Sequence, residues 1–231
     1  MQKLSIIIPA YNEQATIERT ISRIKAVPLA FTKEIIVVND ASVDKTKEIL
    51  RGIKDIFVFD HSTNQGKGAA IRTGLLQASG DIVIIQDADL EYDPNEFPKL
   101  IEPVISGFAD VVYGSRFKGD GPHRVYYLHH YFANKFLTHF SNLLTGLYLS
   151  DMETCYKVFT KQVVDTFKDK LESKRFGFEP EVTARVARGK WRVYEVGISY
   201  HGRTYGEGKK INWKDGLAAI WHIIYFNLFS K

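Results

Sequence analysis

Asp87, Ala88 and Asp89 close the most strand-like run in the chain, Asp81-Ile82-Val83-Ile84-Ile85-Gln86. Two carboxylates one residue apart at the mouth of a buried strand repel each other, and partial burial raises the cost. A divalent cation relieves that repulsion, and hard oxygen donors suit Mg²⁺ or Mn²⁺. Mg²⁺ seldom sits in an all-protein cage and usually bridges to substrate phosphates. Glu91, two residues further on, adds a third oxygen ligand, direct or through water. These residue types therefore suggest a nucleotide-diphosphate site at the carboxyl end of a sheet. The competing reading is an acidic turn before Pro94, with an aspartate capping the next helix.

A metal and a diphosphate also need compensating positive charge. Lys67 stands between Gly66 and Gly68 at a predicted helix start, where backbone N–H groups and the helix dipole favour an anion. The spacing is not that of a Walker A loop. Asp40, after an apolar run, suits hydrogen bonding to a base or ribose, or else an N-cap or Asx turn. Glu179 and Glu181 form a second acidic pair ahead of a helical stretch.

The elements that must position these groups alternate. Leu4 to Ile8 reads as a buried strand ended by Pro9, and Asn12 caps a helix through Thr16, Ile17, Thr20, Ile21 and Ile24. Ile35 to Val38 is a second strand, Lys45 to Ile53 a helix, and Ile56 to Phe59 a third strand. A helix from Gly66 to Ala78 precedes the Ile82 strand, and Glu96 to Ile105 is helical before a strand at Asp110 to Tyr113. Short links between alternating strands and helices imply an α/β fold with a mostly parallel sheet covered on both faces. Such sheets bind ligands outside the carboxyl ends of their strands. The polar clusters Tyr11 to Glu13, Asn39 to Asp44 and Asp87 to Glu91 all fall on that edge. Beyond Gly114 the pattern changes to a loop at Gly119 to His123, an aromatic helix over Leu128 to Leu149, and a helical stretch within Phe176 to Arg188. Then come a strand over Trp191 to Tyr200, a basic loop at Gly202 to Lys210 and a terminal helix at Ile211 to Phe229.

A chain of 231 residues is long enough to bury a full core. A net charge of +4 is too small to argue for nucleic acid, and no nucleic-acid-binding module is present. One cysteine, Cys155, excludes an internal disulfide framework and fits a reducing compartment. The strand pattern begins at Leu4, leaving no signal-peptide pattern. No uninterrupted apolar stretch reaches the ~18 residues of a membrane-spanning helix. Aromatic residues do crowd two segments, Tyr126 to Phe140 and Trp213 to Phe229, and basic residues surround them. That mixture fits a membrane interface, or core aromatics beside a solvated basic face.

Ser5-Ile6-Ile7-Ile8-Pro9-Ala10-Tyr11-Asn12-Glu13, Val38-Asn39-Asp40-Ala41-Ser42-Val43-Asp44, Asn64-Gln65-Gly66-Lys67-Gly68 and Asp87-Ala88-Asp89-Leu90 resemble, in that order, the motifs of family 2 glycosyltransferases with a GT-A fold. Gly114-Ser115-Arg116 and Asp151-Met152-Glu153-Thr154-Cys155-Tyr156-Lys157 narrow the resemblance to the branch that makes polyprenyl-phosphate sugars, such as dolichyl-phosphate mannose and glucose. The resemblance implies one GT-A domain over 1–231: a nucleotide-sugar half at 1–113, an acceptor half at 114–210 and a terminal helix at 211–231. It implies that Pro9, Tyr11, Glu13, Asp40, Lys67, Gly68, Asp87 and Lys209 hold the nucleotide-sugar, and that Asp87, Asp89 and Glu91 hold Mg²⁺ or Mn²⁺. Many relatives carry Gln where Glu91 stands. Arg116 matches a position that meets the acceptor phosphate, with Arg124, His129 or His130 as the second cation. Arg203 and Lys209 lie on the loop that closes over the diphosphate, and Asp89, Arg116 and Arg203 are the catalytic group.

The expected reaction moves a hexose from GDP-mannose or UDP-glucose to dolichyl or undecaprenyl phosphate with inversion. A phosphate monoester has a second pKa of about 6 and is already anionic near neutral pH, so no base is required. One alternative is a hydroxyl acceptor, with Glu179 or Glu181 as base rather than in a structural or sugar-orienting role. The other is a nucleotide-sugar-binding protein without turnover. The expected partners are a membrane surface on its cytoplasmic face, and a second copy or a separate anchoring protein.

Overall fold

The computed structural model describes residues 2–119, 124–125, 127–203 and 213–230. The expected donor ligand Lys209 therefore lies outside the described residues.

Seven strands form one sheet: β1 (Lys3–Ala10), β2 (Thr32–Asn39), β3 (Phe57–Asp60), β4 (Ile82–Ile85), β5 (Val111–Ser115), β6 (Lys157–Thr160) and β7 (Val193–Gly197). Their order is β3-β2-β1-β4-β6-β5-β7. All neighbouring pairs are parallel except those of β6, which runs antiparallel to β4 and β5. The mostly parallel α/β sheet is as expected. Strand β6, which begins at the last residue of the Asp151–Lys157 motif, was not expected. The expected boundary between 113 and 114 falls inside β5, and the second half contributes β6 and β7 to the same sheet.

Ile6, Ile7 and Ile8 are consecutive and all fully buried, as are all four residues of β4, so the middle of the sheet is covered on both faces. The covering helices are α1 (Ile17–Ala26), α2 (Thr46–Gly52), α3 (Lys67–Gln77), α4 (Phe97–Ile105), α5 (Leu128–Thr145), α6 (Lys161–Phe167), α7 (Phe178–Arg188) and α8 (Trp213–Leu228). Helix α3 lies close on β1. A Cβ at Gly74 would sit 2.4 Å from Ile7 Cγ2, so only glycine permits this approach.

Two expected punctuation marks moved. Pro9 does not end β1, which continues to Ala10 beside Asn39 of β2. Ile7 O accepts from Gln86 N on the β4 side, and Pro9 faces that same side two residues on, where β4 has ended; its missing N–H costs no ladder bond. Asn12 does not cap α1. It adopts φ 53°, and its Oδ1 accepts from Val43 N while its own amide donates to Ser42 Oγ. It ties the loop after β1 to the loop after β2, and α1 begins later, at Ile17.

The chain runs β1, β2, β3 outward and then returns to place β4 on the other side of β1. Such a switch in strand order leaves a crevice beyond the carboxyl ends of β1 and β4. Glu13 follows β1, Asp40 follows β2, and Asp87 and Asp89 follow β4.

Candidate active site

Each carboxylate of the acidic run meets a cation from a distant part of the chain. Lys67 Nζ lies 2.9 Å from Asp87 Oδ1. Arg203 Nη2 lies 2.7 Å from Asp89 Oδ2, and its Nε lies 3.2 Å from Glu91 Oε1. The Arg203 amide also donates to Glu91 Oε1, and Tyr200 donates its hydroxyl to Glu91 Oε2 at 2.5 Å. Glu13 is more remote, 3.8 Å from Arg203 Nη1. The acidic turn before Pro94 is also present: Asp89 Oδ1 accepts from Glu91 N, and Asp93 accepts from Asn95 N and caps the next short helix, so the cations on Asp87 and Asp89 come in addition to that turn.

Burial and the charges of Asp87 and Glu91 push the Asp89 carboxyl up to about 7, against the pull of Arg203. This excess of negative charge on hard oxygens suits a divalent cation. The expected three-carboxylate cluster needs correction, however. Among the described residues no group of three His, Cys, Asp or Glu side chains is arranged to hold a metal, and Glu91 is turned to Arg203 and Tyr200 instead. What fits is a site of one or two carboxylates, Asp87 and Asp89, completed by substrate oxygens.

Two expected donor contacts are also corrected. Asp40 is buried, and its carboxylate accepts from His61 Nδ1 at 2.6 Å, Gln65 N at 2.9 Å and Gly66 N at 2.7 Å. It braces the loop leading into α3 rather than presenting itself to a ribose. His61, whose Nε2 meets Thr73 Oγ1 at 2.9 Å, completes that brace and gave no signal in the sequence. The start of α3 is not an open phosphate cradle either. The amides of Gly68 and Ala69 donate to the carbonyls of Arg175 and Lys174. Gly66 takes φ 96° with Lys174 O pressed against it, so the glycines here serve backbone packing.

On the acceptor side, Arg116 is buried and grips Asp151 in two places, Nε–Oδ2 at 2.7 Å and Nη2–Oδ1 at 2.8 Å. Its guanidinium also stacks over the Tyr200 ring at 5.2 Å. Tyr200 thus touches Arg116 with its ring and Glu91 with its hydroxyl, which fixes the acidic run and Arg116 relative to each other. A cavity of about 360 Å³ opens beside Arg116, lined by Phe117, Val125, Leu128, Tyr131 and Lys135. Neither Arg124 nor His130 lines it. Arg124 Nη1 donates to Gly202 O, and the His130 ring packs on Tyr127 and His129. The cation that shares this cavity with Arg116 is Lys135, one helix turn beyond Tyr131. The spacing Leu128, Tyr131, Lys135 is that of one helix face and was a readable signal.

The second acidic pair divides. Glu181 is fully buried and accepts from the amides of Glu172 and Ser173 and from Arg185, which leaves it structural and removes it as a base. Glu179 instead turns toward Lys67, 3.3 Å from Nζ.

The family described as Glycosyl transferase family 2 matches residues 5–167. The chain belongs to that family. A similar protein is undecaprenyl-phosphate 4-deoxy-4-formamido-L-arabinose transferase of Aeromonas hydrophila subsp. hydrophila, 30% identical over 89% of this chain; the chain spans 62% of that protein's length. Another is undecaprenyl-phosphate mannosyltransferase of Micrococcus luteus, 32% identical over 88% of this chain and 85% of the relative. Among solved structures, glucosyl-3-phosphoglycerate synthase from Mycobacterium tuberculosis, in complex with Mn²⁺, UDP and phosphoglyceric acid, superposes with a TM-score of 0.73. It is 19% identical and covers 100% of this chain and 80% of its own, a likeness that shows the shared GT-A fold. Among the described residues of this family 2 member, no helix is long and apolar enough to cross a membrane.

Proposed function

We propose that this family 2 glycosyltransferase moves a hexose from a nucleotide-sugar to a polyprenyl phosphate, with inversion. The observation that carries this reading is the cavity beside Arg116. It offers two cations, Arg116 and Lys135, and walls of Phe117, Val125, Leu128 and Tyr131. A phosphate on an apolar tail matches that chemistry, and a free sugar hydroxyl does not call for it. Tyr200 ties this cavity to the carboxylates that would face the donor.

In this reading a phosphate oxygen of the acceptor attacks the anomeric carbon of the donor. The new carbon–oxygen bond forms as the bond to the diphosphate breaks, and its electron pair leaves on the nucleoside diphosphate. The acceptor is ionised near neutral pH and needs no base, in keeping with a Glu181 that is fully engaged elsewhere. The chain must hold two anions together. Arg116 and Lys135 take one, and Lys67 and Arg203 stand ready for the other. A Mg²⁺ or Mn²⁺ held by Asp87 and Asp89 would neutralise charge on the leaving diphosphate.

The relatives' names support an undecaprenyl or similar carrier, and the apolar side chains exposed on α5 (Leu128, Phe132, Phe136, Leu143) and α8 (Trp221, Leu228) support a place against the cytoplasmic leaflet. A panel of UDP- and GDP-sugars with a polyprenyl phosphate, with and without Mn²⁺, tests the reading. A glycolipid formed from one donor supports it, and no glycolipid from any donor refutes it.

A further inference from the structure

Among the described residues, the buried carboxylate oxygens with no hydrogen-bond partner include one on each of two glutamates beside this site, Glu179 Oε2 and Glu153 Oε1. Buried polar atoms are nearly always paired, so these orphans call for an explanation. They come from different elements. Glu179 lies in the first turn of α7, and Glu153 lies in the segment before β6. Glu179 is 4% exposed and is anchored by its other oxygen to Lys67, which in turn holds Asp87. Glu153 lies close enough to Glu179, Lys157, Arg116 and Asp151 to feel the charge of each. The pair is therefore set between the Asp87–Lys67 side of the site and the Arg116–Asp151 side.

The neighbouring cation does not explain the orphans. Lys157 is fully buried, but its ammonium donates to the carbonyl oxygens of Met152 and Thr154. Nor is α7 simply rich in unpaired acids, because Glu181, two residues on, is fully bonded.

We propose that Glu179 and Glu153 read hydroxyl groups of the donor hexose and so set which sugar is accepted. The inference rests on the transfer reading above. If a diphosphate lies at Asp87 and Lys67 and an acceptor phosphate at Arg116, the sugar joining them must lie between. A hexose presents several hydroxyls that can donate or accept, and the Glu179 oxygen can accept from one; burial and the charge of Glu179 push the Glu153 carboxyl up to about 8, so near neutral pH it holds a proton and can donate as well as accept. A buried site built to bond a hydroxyl discriminates strongly against the analogue that lacks it.

The test pairs Glu153→Gln and Glu179→Gln with a series of deoxy and epimeric nucleotide-sugars, using the full chain with Mn²⁺. Melting temperature and nucleoside-diphosphate affinity are measured alongside. Removing the hydroxyl that is read should cost the wild type roughly 10–100-fold in kcat/KM, the worth of a hydrogen bond to a charged group. The same deoxygenation should cost the matching variant little, and Glu153→Gln should keep its affinity for the nucleoside diphosphate within about twofold; Glu179 also holds Lys67, so its variant is judged on the donor series alone. Equal losses in wild type and both variants for every donor would overturn the assignment. A wild type that binds nucleoside diphosphate but transfers no sugar would instead overturn the reading on which it rests.

Discussion

Arg203 bridges to Asp89 across 114 residues of sequence, with Nη2 2.7 Å from Oδ2, and it holds Glu91 through the same guanidinium. One side chain thus offsets part of the charge that burial and the neighbours Asp87 and Glu91 concentrate on Asp89. Asp89→Ala removes a carboxylate assigned to the metal and is expected to lower transfer by at least about 10²-fold. Arg203→Ala is expected to lower kcat by a similar factor, by taking away a cation for the leaving diphosphate. Steady-state kinetics with saturating donor check both. Near wild-type turnover by Asp89→Ala in chelated buffer would remove the metal from the account.

Arg116 and Lys135 should fail differently. Asp151 is fully buried, so Arg116→Ala strands a buried charge and should cost about 3–5 kcal/mol of stability as well as acceptor binding. Lys135→Ala strands no charge. It should leave the melting temperature nearly unchanged and raise the KM for lipid phosphate roughly tenfold, with the donor KM unmoved. Thermal melts and acceptor titrations separate the two.

Glu34 gives the fold an acid-sensitive joint between β2 and the approach to β4. Burial alone would raise its pKa, but hydrogen bonds from Ser5, from Ser79 and from Lys3 outweigh burial and hold it below the usual carboxylate value. A depressed folded pKa contributes stability that is fully present above the unfolded value of about 4.3 and is lost as pH falls through the folded value. Urea melts between about pH 6 and pH 3 should show the wild type losing more stability than Glu34→Gln. Parallel losses in the two proteins would contradict this.

Gly74→Ala tests the packing that sets the sheet edge. The added methyl would meet Ile7 Cγ2 at 2.4 Å in the middle of the core. Overpacking of this kind should cost about 1–3 kcal/mol, read as a lower melting temperature.

Much of this was legible in the chain. β-Branched runs such as Ile82–Ile85 announce strands buried on both faces, and their alternation with helical spacing announces a parallel sheet. The acidic residues at the carboxyl edge were legible for the same reason. Their partners were not. Arg203 meets Asp89, Tyr200 meets Glu91 and Arg116 meets Asp151 only because the sheet brings distant segments together. β6, only four residues long, starts where a motif ends and carried no alternation of its own. Asp40 looked like a ligand because an aspartate after a strand looks the same whether it faces a ribose or three donors of the loop after β3. The orphaned oxygens of Glu153 and Glu179 depend on what fails to reach them, which no spacing records.

The attacking group is the centre of the account, and one comparison tests it most directly. The preferred nucleotide-sugar is offered to the full chain with a short-chain prenyl phosphate, or with the prenyl alcohol of the same length, and lipid product and free sugar are measured together. The phosphate acceptor should give an inverted glycosyl phosphate with little free sugar, and the alcohol should give no product. Transfer to the alcohol or to a saccharide, with the prenyl phosphate left unused, would contradict it.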